Sequence, residues 1–355
     1  MRPVLISGIQ PTGKLHLGNY LGALKNFVDL QNSGKYECYF FIADLHSLTE
    51  SASGRIDPAE KSKQILDLAA DYLAAGLNPK KSTIFIQSQI PAHAELTWIL
   101  NTITPMGELR RMTQFKNKLG FEIKMSLEFG IKGTDTYFSQ KQNLLEAKTN
   151  LGLFAYPTLM ASDILLYDTQ FVPVGDDQLQ HLEFARTLAR KFNGKFGKTF
   201  LEPKALLTLT PRIMSLDEPT KKMSKSRPAG CLFIEDSPNT IREKIKTAVT
   251  DSGKEIKYDT EKKPAISNLM LIYSAMSEKT PKEIEKEFDG KNYAEFKNDL
   301  AELIISKLAL FQKKKKELSK EPAKIKKILN IGQKVAEGVA SKKITEVKKR
   351  IGLIT

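Results

Sequence analysis

The chain has 355 residues and a formal net charge of +14, with 41% hydrophobic and 27% charged residues. This length and composition predict a soluble globular protein of about two domains, at roughly 150 residues per domain. No apolar run has the length that a membrane helix or a secretory signal requires. The two cysteines have neither metal-binding nor disulfide spacing, so we expect a cytoplasmic protein without a zinc site.

The positive charge is concentrated near the C-terminus. Residues 301–355 contain 15 Lys and Arg against 5 Asp and Glu, a net charge of +10. Such an excess favours a polyanionic partner such as RNA, because basic side chains attract phosphates and release counterions. A solvated lysine-rich helical face is an alternative that the charge alone does not distinguish from RNA binding.

Roughly the first two hundred residues alternate short apolar runs with amphipathic ones, which indicates strands alternating with helices. The predicted strands are Val4–Ser7, Cys38–Ala43, Thr83–Gln87 and Phe171–Val174. The predicted helices are His16–Gln31, Pro58–Ala75, His93–Ile103, Leu159–Tyr167 and Gln178–Phe192. This alternation predicts an α/β fold with a Rossmann-like parallel sheet, which binds ligands at the C-terminal ends of its strands.

Beyond residue 234 the strand patterns give way to helical ones, which predicts a second, all-helical domain. Its predicted helices are Asn239–Val249, Ile266–Met276, Pro281–Phe288, Tyr293–Lys316 and Pro322–Ile351. We therefore expect an α/β domain over 1–215, a mobile loop over 216–231 and a helical domain over 232–355. The last helix is expected to pack back on the α/β domain. Residues 119–149 have no clear period and predict no particular element.

A glycine-bearing helix start follows the first predicted strand directly. Gly8 and Gly13 permit tight turns, and the unpaired amides where the helix begins near His16 favour an anion. Gly18 and Gly22 lie on one helix face, which suggests that a flat group such as an adenine ring approaches the backbone closely. Close packing between helices is the alternative explanation. A glycine-rich turn on its own is weak evidence of nucleotide binding.

A second motif, Lys-Met-Ser-Lys-Ser, spans Lys222–Ser226 in the loop between the two predicted domains. Lysines on a mobile loop can close onto phosphates and stabilise the negative charge that develops as pyrophosphate leaves. The serine hydroxyls can add hydrogen bonds. The alternative is an ordinary basic surface loop, which five specified residues at a domain boundary disfavour.

Two further segments combine apolar and polar residues in a way that is typical of a pocket. In Tyr156–Tyr167, Met160 and Asp163 share one helix face, and a buried acid there needs a partner such as an indole N–H, a phenol O–H or a lysine. In Phe171–Gln178, a strand leads through Gly175 to acidic residues at a helix start. Carboxylates in that position can hold ribose hydroxyls, or they can simply cap the helix.

His16–Asn19 and Lys222–Ser226 together resemble the two signatures of class I aminoacyl-tRNA synthetases. The similarity to the tryptophanyl branch of that family extends over nearly the whole chain. In that branch threonine often occupies the position of His16. At this position the chain therefore differs from the branch and follows the pattern of the class as a whole. The resemblance implies a catalytic α/β domain, a helical anticodon-binding domain, and an enzyme that activates tryptophan with ATP and loads it onto tRNA.

The resemblance also implies roles for individual residues. The implied catalytic residues are Lys222, Lys225, His16, Asn19 and Lys118. The implied ATP-binding residues are Gln10, Pro11, Thr12, Gly18, Asn19, Gly175, Asp176, Asp177, Ile213, Lys222, Met223, Ser224, Lys225 and Ser226. The implied tryptophan-binding residues are Asp163, as acceptor of the indole N–H, together with Met160, Val174, Tyr156, Gln178 and His46.

The implied partners are L-tryptophan, tRNA(Trp) and a second copy of the chain in a homodimer, with no membrane. Magnesium is expected to arrive with the ATP phosphates, without a metal site built from protein residues. Lys313–Lys316 and Lys342–Arg350 are expected to face the anticodon side. The family usually has a short loop after Lys118, where this chain carries an insertion near 119–149. The alternatives are a tyrosyl-tRNA synthetase, a small-molecule adenylyltransferase and a non-catalytic RNA-binding relative.

Overall fold

The computed structural model describes residues 2–53, 57–113, 150–175, 178–207, 212–253 and 255–355. In these ranges the strands are β1 (Val4–Ile9), β2 (Glu37–Ile42), β3 (Ser82–Ile86), β4 (Phe171–Val174) and β5 (Lys204–Leu207). They form one parallel sheet in the order β3-β2-β1-β4-β5. Leu5 of the central strand lies between Cys38 and Phe171. The chain therefore builds outward from β1 in both directions, and such a reversal creates a ligand-binding crevice at the C-terminal ends of β1 and β4.

Both faces of the sheet are buried. Leu5 and Phe40 belong to the apolar core on one face, whereas the next residues, Ile6 and Phe41, belong to the core on the other. Successive side chains along a strand point to opposite faces of the sheet, so other elements must pack on both faces, as is usual for parallel sheets. This requirement explains why the strands are continuous apolar runs that the sequence reveals readily.

Helices provide that cover. Among and beside the strands lie α1 (Leu17–Asn19), α2 (Lys25–Asn32), α3 (Pro58–Ala75), α4 (Ala92–Asn101), α5 (Met106–Arg110), α6 (Leu151–Leu165) and α7 (Leu179–Phe196). After them come α8 (Pro238–Thr247), α9 (Pro264–Ser277), α10 (Pro281–Glu287), α11 (Tyr293–Leu318) and α12 (Pro322–Arg350). A π-helical turn, Tyr20–Leu24, joins α1 to α2. The predicted class, a Rossmann-like parallel sheet followed by helices, is confirmed.

The last helix, α12, lies against β3 at the edge of the sheet. At Gly332 the two backbones approach so closely that an added Cβ atom would lie 1.9 Å from the carbonyl oxygen of Ile84. Leu329 belongs to the core on one face of the sheet, and Ala336 belongs to the core on the other. Helix α12 therefore covers the β3 edge and contributes to both cores, which protects that edge from pairing with another chain.

Several elements differ from the sequence-based expectation, including the short helix α5, which the patterning does not predict. The patterning does not predict β5, because Lys204–Leu207 is a short, partly exposed edge strand without β-branched or aromatic residues. Helix α6 begins at Leu151 after an Asn150 cap and contains Pro157, whereas the prediction begins at Leu159. The proline misled the prediction, because proline lacks the N–H group that a helix interior uses.

Candidate active site

A cavity of about 240 Å³ opens at the C-terminal ends of β1 and β4. All six residues predicted for tryptophan binding line it: His46, Tyr156, Met160, Asp163, Val174 and Gln178. Gln10, which is predicted for ATP binding, lines the same cavity beside Ser7 and Gly8 of β1. The fold thus brings side chains from β1, β4, α6 and the segments after β2 and β4 together at the crevice that the strand order creates.

Asp163 is the buried acid of this cavity, with 1% of its surface exposed. Its Oδ2 atom lies 2.8 Å from Nε2 of His46, and its Oδ1 atom lies 2.7 Å from Nε2 of Gln87 and 2.6 Å from Nδ1 of His93. Burial alone raises the pKa of the Asp163 carboxyl, but hydrogen bonds from His46 and His93 outweigh burial and hold this pKa below its usual value. Among the described residues, the hydrogen-bond partners of Asp163 are therefore two histidines and a glutamine, not the lysine that the sequence left open.

Three buried residues of this site are missing from the sequence-based prediction: Gln87, His93 and His181. The first two contact Asp163 directly, and His181 Nε2 lies 2.8 Å from the hydroxyl of Tyr156. The only signal for them is indirect, since a buried acid in an apolar helix requires donors. Gln87 and His93 lie 76 and 70 positions from Asp163, so no local spacing connects them.

The first motif forms an interlocked turn at the start of α1. The backbone N–H of Asn19 donates to His16 Nδ1 at 3.2 Å, and the Asn19 side-chain oxygen accepts from the backbone N–H of His16 at 3.4 Å. Burial, together with the positive charges of Lys225 and Lys222, lowers the pKa of His16 from 6.5 to about 4. The ring is therefore neutral at pH 7. Because Nδ1 accepts, Nε2 carries the hydrogen and can donate to a ligand.

The second motif reaches the first through Lys225. Its Nζ atom lies 3.1 Å from each of three oxygen atoms in the turn Thr12–Gly13. Ion pairs of Glu218 with Lys221 and with Arg227 brace the loop on either side of the motif. The second motif is thus in direct contact with the turn that leads into His16–Asn19, although the two segments are far apart in the sequence.

Ile213 connects the same two segments from inside the molecule. Its carbonyl oxygen accepts a hydrogen bond from the backbone N–H of Met223 at 3.1 Å, and the Met223 side chain is buried. An added Cβ atom at Gly18 would lie 3.7 Å from the Ile213 Cβ atom and 3.1 Å from the His16 ring. A side chain at Gly18 would therefore crowd the motif, which gives this glycine a steric reason independent of any ligand.

Further residues predicted for ATP binding lie along the same turn and loop. The carbonyl oxygen of Pro11 accepts from Lys61 Nζ at 3.5 Å. The hydroxyls of Ser224 and Ser226 lie 2.9 Å apart. Lys222 pairs with Met214 in an antiparallel bridge that anchors the start of the motif.

A family model described as class I tRNA synthetases (W and Y) matches residues 2–309. The tryptophan–tRNA ligase of Caldanaerobacter subterraneus subsp. tengcongensis is 46% identical over 353 residues, which cover 99% of this chain and 98% of that protein. The chain belongs to the tryptophanyl-tRNA synthetases. The similarity extends to solved structures of this family. The tryptophanyl-tRNA synthetase of Mycoplasma pneumoniae superposes with a TM-score of 0.85 at 32% identity, covering 100% of this chain and 99% of that one.

A second structural relative carries ligands. The tryptophanyl-tRNA synthetase of Campylobacter jejuni, complexed with ADP and tryptophan, has a TM-score of 0.75 at 34% identity and covers 99% of this chain and 100% of its own. Membership in the tryptophanyl-tRNA synthetases confirms the resemblance carried by the two motifs. The tyrosyl-tRNA synthetase and small-molecule adenylyltransferase alternatives lose support, because the full-length similarity is to tryptophan–tRNA ligases.

Several residues predicted from the family resemblance lie outside the described residues. They are Lys118, Asp176, Asp177 and the insertion near 119–149. On either side of the two acids, Gly175 and Gln178 are described, and the Gln178 backbone N–H donates to the Gly175 carbonyl oxygen at 2.9 Å.

In the described ranges, no group of three or more His, Cys, Asp and Glu side chains could hold a metal ion. No helix in the same ranges is long and apolar enough to cross a membrane. Cys38 and Cys231 are buried free thiols, and burial raises the pKa of each to about 11, so neither is ionised at pH 7.

The expectation that two lysine-rich segments of this synthetase face tRNA needs correction at two positions. Lys315 is buried, and its Nζ atom lies 2.7 Å from a carboxylate oxygen of Asp71 in α3. Lys343 is also buried, and its Nζ atom lies 2.8 Å from a carboxylate oxygen of Asp168. These two ammonium groups join α11 and α12 to the sheet-bearing part of the chain and are unavailable to RNA. Their neighbours Lys313, Lys314, Lys316, Lys342 and Lys349 are exposed.

Proposed function

We propose that the chain activates L-tryptophan with ATP, giving tryptophanyl-adenylate and pyrophosphate, and then transfers the acyl group to tRNA(Trp). This proposal rests mainly on one observation. Gln10 lines the cavity that contains Asp163, and Thr12, in the same turn, contacts Lys225 of the second motif. An amino acid in the cavity and a triphosphate between the motifs would therefore meet at one point. The family membership, together with the ADP and tryptophan named for the Campylobacter jejuni relative, supports an adenine nucleotide and tryptophan as ligands.

The cavity suits an indole side chain. Asp163 Oδ2 would accept the indole N–H, and Met160 and Val174 would pack against the ring. Tyr156 and Gln178 would hold the α-ammonium group at the mouth of the cavity. His46, which donates to Asp163, would lie at the edge of the ring. An apolar cavity with a few convergent polar groups is the usual form of such a site.

The two motifs would hold ATP between them. The adenosine would lie along the first motif and the ribose near the turn after β4, through Gln10, Pro11, Thr12, Gly18, Asn19, Ile213, Gly175, Asp176 and Asp177. The phosphates would meet Lys222, Lys225 and Lys118, with Met223, Ser224 and Ser226 shaping the loop. His16 would donate its Nε2 hydrogen to the phosphates, which its neutral tautomer allows.

The chemistry needs no protein nucleophile. A tryptophan carboxylate oxygen attacks the α-phosphorus, the bond from that phosphorus to the bridging oxygen breaks, and pyrophosphate leaves with the electron pair. Catalysis then consists of orienting the two substrates and stabilising negative charge on the phosphates. Lys222 and Lys225 would supply positive charge at the point where this negative charge develops. Magnesium would travel with the ATP phosphates as part of the substrate.

The remaining assignments concern the larger assembly. Residues 1–215 would form the catalytic domain, 216–231 a loop that moves during the reaction, and 232–355 the domain that meets the anticodon side of tRNA(Trp). The exposed lysines of α11 and α12 would supply its attraction for RNA. The active form would be a cytoplasmic homodimer in which one tRNA touches both subunits.

Pyrophosphate exchange into ATP tests the first step directly. The purified chain is incubated with ATP, magnesium and each of the twenty amino acids in turn, and tryptophan alone should drive rapid exchange. Charging of tRNA(Trp) transcripts with labelled tryptophan tests the second step. Exchange driven by tyrosine, or by no amino acid, would refute the proposal.

A further inference from the structure

Behind Asp163, a buried chain of hydrogen bonds leads away from the cavity. His93 Nδ1 lies 2.6 Å from Asp163 Oδ1, and His93 Nε2 lies 2.9 Å from the hydroxyl of Tyr167. The His93 side chain is fully buried, and its ring centroid lies 6.2 Å from those of both Phe41 and Phe85. Neither His93 nor Tyr167 lines the cavity. His93 therefore does not touch a ligand in the cavity, and its polar contact with the cavity lining is Asp163.

The chemistry of the groups determines where the hydrogens lie. A carboxylate only accepts hydrogen bonds, so the His93 nitrogen that faces Asp163 must carry a hydrogen. In a neutral ring the other nitrogen then accepts, and the Tyr167 hydroxyl donates to it. Burial and the negative charge of Asp163 raise the pKa of Tyr167, so the phenol keeps its proton. His93 therefore donates its Nδ1 hydrogen to Asp163.

The contacts of Asp163 leave its two oxygens unequal. Oδ1 receives hydrogen bonds from both His93 and Gln87, which occupy its two lone pairs. The Gln87 amide is itself oriented, because its oxygen accepts from the backbone N–H of Leu45 at 3.2 Å. Among the described residues, Oδ2 receives one side-chain hydrogen bond, from His46, which lines the cavity. Oδ2 therefore keeps a lone pair on the side where a ligand would lie.

We propose that His93 is a positioning residue for amino-acid selection, acting through Asp163. Together with Gln87 it holds Oδ1, so that Oδ2 becomes the acceptor for a donor on the substrate ring. A ring of the same shape without an N–H group leaves this buried acceptor unpaired, and such a site discriminates strongly against it. The inference rests on the proposed function, since it takes Asp163 as the acceptor of the indole N–H.

The experiment compares two substrates in the full-length chain. Pyrophosphate exchange is measured with tryptophan and with the analogue in which sulfur replaces the indole N–H, for the wild type, His93→Leu and His93→Asn. Leucine removes the donor to Asp163. Asparagine is the matched control, because its amide nitrogen is attached at the same position as Nδ1 and can still donate to Asp163.

For His93→Leu we expect the KM for tryptophan to rise about 10-fold or more, on the scale of a hydrogen bond to a charged group. The KM values for the sulfur analogue and for ATP should change by no more than about twofold, because neither uses the Asp163 acceptor. For His93→Asn, the ratio of kcat/KM for tryptophan to kcat/KM for the sulfur analogue should stay within about threefold of the wild-type ratio. A change in this ratio separates a role in selection from a role in folding, which would affect both amino acids alike.

A second variant covers the case in which His93→Leu does not fold. Gln87→Met removes the other donor to Oδ1 with little change in shape. It should lower the ratio of kcat/KM for tryptophan to kcat/KM for the sulfur analogue. Equal effects on both amino acids in the variants that fold, or an Asn variant as impaired as the Leu variant, would overturn the inference. If the wild type showed no tryptophan-dependent exchange, the proposed function itself would fail and the inference with it.

Discussion

The Nζ atom of Lys225 lies 3.1 Å from the Oγ1 atom of Thr12, although 213 positions separate the two residues. An ammonium group has three hydrogens, and the turn Thr12–Gly13 offers three oxygen acceptors at that distance. A phosphate bound at the turn would be a stronger partner than these neutral oxygens, because it carries negative charge. We therefore expect a short movement of the Lys225 side chain to transfer it from the turn to a bound phosphate.

Lys225→Ala should slow adenylate formation far more than it weakens tryptophan binding. We expect the kcat of pyrophosphate exchange to fall by about 100-fold or more, on the scale of a lost transition-state contact. The Kd for tryptophan, measured by calorimetry, should stay within about threefold of the wild-type value. Lys221→Ala is the matched control, since Lys221 is an exposed lysine in the same loop. Comparable losses in kcat and in tryptophan affinity would contradict a transition-state role for Lys225.

Asp163→Asn should raise the KM for tryptophan by about 10-fold or more, because the indole N–H would lose a charged acceptor. Asn is a gentler probe than Ala here, since the Asp163 carboxyl contacts three buried side chains that need partners. The KM for ATP should be unaffected. Initial rates of exchange over a range of tryptophan concentrations measure the effect, and an unchanged KM would remove Asp163 from the indole site.

The lowered pKa of His16 should make folding sensitive to acid. The unfolded chain binds a proton at this side chain near pH 6.5, whereas the folded chain does so only near pH 4. The unfolded state therefore gains protons first as the pH falls, and the free energy of unfolding decreases between pH 6.5 and about 4. In His16→Gln this contribution is absent, so urea titrations should show a shallower loss of stability over that interval. Parallel pH profiles for wild type and variant would count against a neutral, buried His16.

Gly332→Ala should destabilise the protein by about 3 kcal/mol, as expected for an overpacked site against rigid backbone. The new methyl group would lie 1.9 Å from the Ile84 carbonyl oxygen and would push α12 away from β3. Gly338→Ala is the control in the same helix, because no neighbour lies within 4 Å of its added Cβ atom. That control should stabilise the protein by up to about 1 kcal/mol, as alanine favours a helix over glycine. Equal shifts of both variants in chemical unfolding would refute the close contact.

Much of this architecture is visible in the sequence because it depends on local pattern. Strands β1 to β4 are buried on both faces and therefore form continuous apolar runs, whereas the half-exposed edge strand Lys204–Leu207 leaves no such trace. The two motifs, His16–Asn19 and Lys222–Ser226, are likewise sets of neighbouring residues, and it is their combination that resembles the two signatures of the family. Their roles in catalysis stay predictions that the experiments above address.

The sequence by itself thus determined the family, the order of most elements and the acid at Asp163. Only the tertiary structure decided which side chains meet that acid, because Gln87 and His93 come from other elements that the strand order brings beside α6. It also decided that Lys315 is a buried ion-pair partner while the adjacent Lys314 is exposed. Sequence spacing describes one helix or strand at a time, whereas burial and pairing depend on which face of that element the neighbours cover.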